Sequence, residues 1–258
     1  MKNLFYALIA ISMFVSCNEA PSAEKTAEMT KPAIDYPDAL DKVFDHHGTL
    51  AKWQKMKSLS YEIVKEGGNE TQMIDLHTRA ERIENSKYTS GFDGEKYWID
   101  ADTSVEESVK FYTNLIFYFY AMPFVLADDG IIYSEAPPLS YEGVDYPGYR
   151  IAYNDGVGVS PEDEYFIHYN PETYQMEWLG FTVTYFSGEK SDRISWRRYP
   201  DWQDINGLKL PTSMVSCKAE DGKITEIGKA TQFVNAKISE SGFPAGKLAM
   251  KEGALEVK

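Results

Sequence analysis

Tyr88-Thr89-Ser90-Gly91-Phe92-Asp93-Gly94-Glu95-Lys96-Tyr97-Trp98-Ile99 is the stretch that decides the fold. Residues 88–92 and 95–99 are rich in aromatic and β-branched side chains. Between them stands Asp-Gly, a strong short-range hairpin signal, because tight hairpin turns need positive φ and these residues tolerate it. The expectation is a two-residue turn centred on Asp93 and Gly94. Toward the N-terminus, Leu59, Tyr61 and Ile63 alternate with Ser60 and Glu62. Ile74, Leu76, Thr78 and Ala80 alternate with Asp75, His77, Arg79 and Glu81. A period of two means a strand with one wet face. Toward the C-terminus, residues 149–153, 164–169, 176–186, 193–199, 208–218 and 223–236 have strand composition. Asn170-Pro171-Glu172-Thr173, Ser187-Gly188-Glu189-Lys190, Asn206-Gly207 and Asp221-Gly222 are turns between them. Strands joined by short turns pair antiparallel, so the fold class is mainly β with one antiparallel sheet.

Helical spacing occurs in two places. Ala39, Leu40, Val43, Phe44 and His47 recur every three or four residues; Gly48 stops that helix, and Thr49 caps a second piece carrying Leu50, Trp53 and Met56. Residues 103–122 predict a second helix. Thr103 or Ser104 caps it, Glu106 and Glu107 occupy its first turn, and Val105, Val109, Tyr112 and Ile116 form its stripe. From Leu115 to Met122 it is apolar or aromatic all round, which requires burial on every side. Its acidic start and its tyrosines argue against a membrane span, and Pro123 ends or bends it.

The helix with His47-Gly48 and Trp53, the Phe92–Ile99 motif, the run Pro123-Phe124-Val125-Leu126 and the run Asn170-Pro171-Glu172-Thr173-Tyr174-Gln175-Met176 together resemble the LolA/LolB-like superfamily of bacterial lipoprotein carriers. The chain is still closer to a family of lipoproteins of unknown function thought to share that fold, on the strength of residues 117–129 and 171–192. The resemblance covers about residues 38–236. It implies a strongly curved antiparallel sheet, a half-open β-barrel, with an N-terminal helix and a covering helix near 103–122. It also implies a concave apolar hollow, which in the carriers receives acyl chains. No carrier residue for cargo transfer maps onto a position here.

The N-terminus sets the expected location. Lys2, an apolar run from Leu4 to Val15, the small residue Ser16 and then Cys17 form a signal peptide with a cysteine at the cleavage point. Phe14-Val15-Ser16-Cys17 resembles a lipobox in which Phe14 replaces the usual aliphatic residue. The expectation is that residues 1–16 are removed, that Cys17 is lipidated, and that residues 17–37 form a disordered tether with a span of roughly 20–25 Å. Residues 38–238 then form a single half-barrel domain, and 239–258 a weakly ordered tail or edge strand. The place is the cell envelope, at the outer membrane, with the leaflet open. The formal charge is −14, and loss of Lys2 makes the mature chain one unit more acidic. Such a surface excludes nucleic acid as a partner and electrostatic attachment to anionic lipid. Membrane attachment therefore falls to the lipid. With Cys17 acylated, Cys217 has no partner for an intramolecular disulfide and is expected to pack as a small hydrophobe.

Candidate ligand-lining residues are Phe117, Phe119, Tyr120, Met122 and Phe124, which either line a hollow or fill the core beneath the sheet. His46-His47 lacks metal spacing, because neighbouring helix residues point about 100° apart; His47 is expected to close the helix end. Asp155 and Glu162-Asp163-Glu164 flank a Gly-rich loop without the alternating calcium pattern, and GxSxG, HExxH and CxxC do not occur. The expectation is no catalytic residue, metal or cofactor. Three readings stand. The first is a lipid-anchored envelope protein that binds an apolar ligand, acyl chain or lipoprotein in its half-barrel. The second is a lipid-anchored protein-interaction module with a filled core. The third is a hydrolase of envelope lipid or glycan.

Overall fold

The computed structural model describes residues 36–101, 106–128, 130–153 and 162–257, with the side chains of 106–108 excepted. Cys17, the signal and tether, the expected cap at Thr103 or Ser104, and Asp155 with its Gly-rich loop lie outside the described residues. The folded unit is Tyr36–Lys258.

Two short helices, α1 (Asp38–His46) and α2 (Leu50–Trp53), open it. Thr49 caps α2 by accepting from the Lys52 N–H. Five short strands follow: β1 (Ser58–Ile63), β2 (Glu70–Asp75), β3 (Glu81–Glu84), β4 (Thr89–Phe92) and β5 (Tyr97–Asp100). Then come α3 (Glu106–Tyr112), α4 (Leu115–Tyr120) and a 3₁₀ turn, Phe124–Ala127. The rest is β6 (Ile131–Tyr141), β7 (Val144–Tyr153), β8 (Tyr165–Tyr169), β9 (Met176–Phe181), β10 (Ser195–Arg198), β11 (Trp202–Ile205), β12 (Leu208–Pro211), β13 (Ser213–Glu220), β14 (Lys223–Ser239) and β15 (Leu255–Val257).

Thirteen strands form one sheet in the order β13-β10-β9-β8-β7-β6-β14-β1-β2-β3-β4-β5-β15, and β11–β12 is a separate hairpin. The mainly β, antiparallel expectation holds. Among the described residues the one parallel contact is Lys223 of β14 against Ser140 of β6. β14 is the hinge of the architecture. Its first half pairs with β13 and its second half with β1. Because β13 also pairs with β10, strands β6 to β10, β13 and β14 close into a ring, and β1 to β5 and β15 extend from it as an open, curved wing.

Four local readings are corrected. The hairpin turn is displaced by one residue: Asp93 N–H donates to the Lys96 carbonyl (3.1 Å), so Gly94 and Glu95 are central. Gly94 takes φ +105°, while Asp93 accepts from the N–H groups of Glu95 and Lys96 and holds the turn from outside. Residues 74–80 are not one strand. β2 stops at Asp75, whose carboxylate accepts from the N–H of His77 and of Thr78 (3.0 and 2.8 Å) and bends the chain. The 103–122 helix is two pieces. Asn114 stands between them in the left-handed region (φ 63°), and its N–H goes to the buried Glu81 carboxylate instead of continuing the helical ladder. Finally, 208–218 is split at Thr212, whose N–H bonds the Asp201 carbonyl. β6 was not expected; Pro137-Pro138 hides it, and there the ladder slips between Ala136 and Leu139.

Candidate functional site

The concave side of the wing and the adjoining face of the ring enclose the main core. β1 contributes Leu59, Tyr61 and Ile63, and β8 and β9 contribute Ile167, Tyr169, Leu179 and Phe181; α1 adds Leu40, Val43 and Phe44. The segment from α4 through the 3₁₀ turn lies between these walls. All five candidate side chains are here: Phe117 and Tyr120 are fully buried, Met122 and Phe124 nearly so, and Phe119 is 5% exposed. Tyr120 stacks on Tyr61 at 4.0 Å, with Phe233 edge-on to both rings. Phe124 lies flat on Trp53 at 4.8 Å, and Phe119 meets Phe181 at 4.8 Å. The Arg79 guanidinium sits 5.0 Å from the Phe117 ring centre.

Polar contacts clamp this segment at several points. The Tyr199 hydroxyl donates to the Phe119 carbonyl (2.9 Å), and Tyr133 donates to that of Leu126. Arg79 Nη2 donates to both carboxylate oxygens of Asp128 (2.8 and 2.6 Å). Yet its regular pieces are one or two turns long, and helices so short have no stability of their own.

Beneath the α3–α4 break lies a buried polar patch that the sequence did not reveal. Glu70, Gln72 and Glu81 are fully buried. Glu70 accepts from Tyr112 (2.6 Å), Gln72 (3.0 Å), Lys65 (2.7 Å) and Asn85 (3.3 Å), and Gln72 accepts from Tyr61 (2.5 Å). Burial pushes the Glu81 carboxyl up to about 8, the nearby Glu70 charge adds to this, and the Asn114 N–H opposes it. Glu81 is therefore mostly protonated at neutral pH. Glu70 and Gln72 escape pattern reading because they occupy inward positions of an ordinary-looking strand.

His47 and His77 are held by contacts within the fold. His47 is fully buried; it accepts from the Met176 N–H (3.0 Å) and lies edge-on to Trp202 at 4.2 Å. Burial, then the adjacent His46, lowers it to about 3, so it is neutral. His77 faces the Gln54 carbonyl at 3.2 Å. Among the described residues no three His, Cys, Asp or Glu side chains group to hold a metal, and no helix is long and apolar enough to cross a membrane. Cys217 is half-buried on β13 and free.

A family model matches residues 54–210, more than half of the chain. The chain belongs to DUF6503, a family of unknown function. Both stretches that carried the resemblance, 117–129 and 171–192, fall inside the DUF6503 match. No curated protein matches the chain. Among solved structures, a LolA superfamily protein from Nitrosomonas europaea aligns at 11% identity, covering 81% of this chain and 96% of that one, with a TM-score of 0.49. A putative outer membrane lipoprotein-sorting protein domain from Vibrio parahaemolyticus aligns at 6% identity over 78% and 94%, with a TM-score of 0.38. A chain of the Pseudomonas aeruginosa MucA/MucB complex aligns at 10% identity over 85% and 62%, with a TM-score of 0.28. These are likenesses of outline, and the functional reading of this DUF6503 chain rests on its own geometry.

Proposed function

We propose that this protein is a cell-envelope lipoprotein, held at the outer membrane by lipid on Cys17, that binds an apolar chain against the aromatic lining of its concave face. The reading rests on one observation: the hollow is closed by a segment of short helical pieces, not by a continuous helix. The rings of Phe117, Phe119, Tyr120 and Phe124 occupy the space that an acyl chain would take. A segment with little local stability is the kind of element that opens below the global unfolding free energy. Purification of the native lipidated protein and mass spectrometry of what comes with it tests the reading. Co-purified acyl lipid in molar proportion is expected, and recovery of Cys17→Ala protein in the soluble fraction tests the anchor separately. Cys17→Ala protein that still sediments with membranes would contradict the anchor.

A second reading is favoured by the same rings. All five candidates are at most 5% exposed, and the rings of Tyr120, Phe124 and Phe119 rest on those of Tyr61, Trp53 and Phe181. A core so filled suits an interaction module, which would bind protein on its outer surface and take up no lipid.

A further inference from the structure

The ring of strands has an interior of its own. Its small apolar cluster takes Leu139 and Tyr141 from β6, Tyr146 from β7, Phe166 from β8, Trp178 from β9, Trp196 from β10, Cys217 and Ala219 from β13, and Ile224 from β14. Every strand of the ring contributes. On β8 and β9 these residues alternate with those of the concave core, so this interior is the opposite face of the same strands. The ring closes through the single Ser140–Lys223 contact and the Ser140 N–H bond to the Gly222 carbonyl (2.8 Å). Beside that closure a cavity of about 330 Å³ opens into the cluster.

Three features make it a built site. Its walls include Phe166, Ile194 and Trp196. Two glycines make room for its rings: a Cβ on Gly180 would lie 2.9 Å from the Trp196 ring, and one on Gly148 would lie 2.4 Å from Nδ1 of His168. The third is His168, 2% exposed and lining the cavity. Its Nδ1 stands 3.0 Å from the Tyr146 carbonyl and must donate to it. Burial lowers the imidazole to about 4, so the ring is neutral and Nε2 is an acceptor. Nε2 has no hydrogen-bond partner among the described residues. The charged residues lining the cavity are Asp192 and Asp221, both exposed.

We propose that this barrel mouth is a second ligand site, separate from the concave core, for a small apolar molecule that carries a hydroxyl and no negative charge. The apolar walls take the hydrocarbon, His168 Nε2 accepts from the hydroxyl, and the two aspartates repel carboxylates and phosphates. A cavity of this size at a barrel mouth, apolar with one placed polar group, falls within the range of small-molecule sites.

The test uses the full mature chain with Cys17→Ala, titrated with 1-octanol and separately with octanoate at pH 8. The four histidines give a simple imidazole NMR spectrum in which His168 is followed. The expected result is a saturable shift of His168 with octanol and at least tenfold weaker binding of octanoate. Ala219→Phe, which fills the cavity from its wall, should weaken octanol at least tenfold without changing the thermal midpoint. His168→Phe, followed at the Trp196 indole, should weaken it about fivefold, the worth of one net hydrogen bond. If His168→Phe does not fold, Ala219→Phe decides. No saturable shift, octanoate bound as tightly as octanol, or unchanged affinity in Ala219→Phe would each overturn the proposal. The last outcome would place the alcohol elsewhere and leave the concave-face reading standing.

Discussion

β8 and β9 present two aromatic faces that are packed differently. On one face Ile167, Tyr169, Leu179 and Phe181 share a core with the buried rings of the segment from α4 through the 3₁₀ turn. On the other, Phe166, His168 and Trp178 belong to a ring interior that the closing strands do not fill. The first face is filled by chain that is near in space but far in sequence. The second is bounded by strands alone, and strands alone leave a mouth. Aromatic density therefore does not tell an open site from one that a ligand enters only by displacing a segment. The face with the more conspicuous sequence signal is the packed one.

The largest expected effect lies on the filled side. Phe117→Ala should cost about 3–5 kcal/mol in a denaturant melt, because a fully buried ring is removed from dense surroundings. Ile194→Ala, on the half-buried wall of the cavity, should cost about 1 kcal/mol, because it enlarges an existing space. Equal losses would erase the contrast between the faces.

Acid should act on the hollow side next. His168 is neutral in the fold, lowered from 6.5 to about 4, so the unfolded chain binds its proton first as pH falls. The stability it protects is complete above about pH 6.5 and is lost between there and pH 4. The loss at pH 5 amounts to about 2 kcal/mol for this residue. Comparing melts at pH 7.5 and pH 5 for wild type and His168→Phe isolates that share, since His47 contributes with the same sign in both. Glu81 has the opposite sense. Its carboxyl is raised to about 8, so its contribution is full below about pH 4.5 and declines as pH rises to 8, and Glu81→Gln should flatten that decline.

The smallest effect belongs to neither face. Gly94→Val should cost about 1 kcal/mol, because a β-branched residue resists φ +105°, although a Cβ there would meet no other atom within 4 Å. A much larger loss would mean that the wing's hairpin supports the core more than its position implies.

These positions also show what the sequence could reveal. Period-two alternation located β1, because one wet face leaves a visible pattern, whereas strand composition after the Asp221-Gly222 turn located most of β14. The hairpin was found and displaced by one residue, because Asp-Gly signals a turn without fixing its frame, and here the Asp93 side chain takes the outer role. The helix expected over 103–122 was read as continuous because propensity could not see Glu81 waiting for the Asn114 N–H. The all-apolar run from Leu115 to Met122 called for burial on every side; Phe117, Phe119, Tyr120 and Met122 are buried while Leu115, Ile116 and Tyr118 are half-buried, and such a run does not distinguish a lined hollow from a plug. The cavity behind β8 was invisible, since it arises from ring closure between residues far apart in the chain. Its local trace is the pair Gly148 and Gly180, each making room for a ring on a neighbouring strand.

The most direct test of the central claim is a titration of soluble Cys17→Ala protein with a fluorescent fatty acid, with hydrogen exchange of residues 113–127 measured in parallel. The account predicts saturable binding, with loss of amide protection in that segment as the probe takes the place of its rings, and no loss in β1 or β9. An absence of saturable binding, with the segment as protected as the strands around it, would contradict the account and leave the filled-core interaction module in its place.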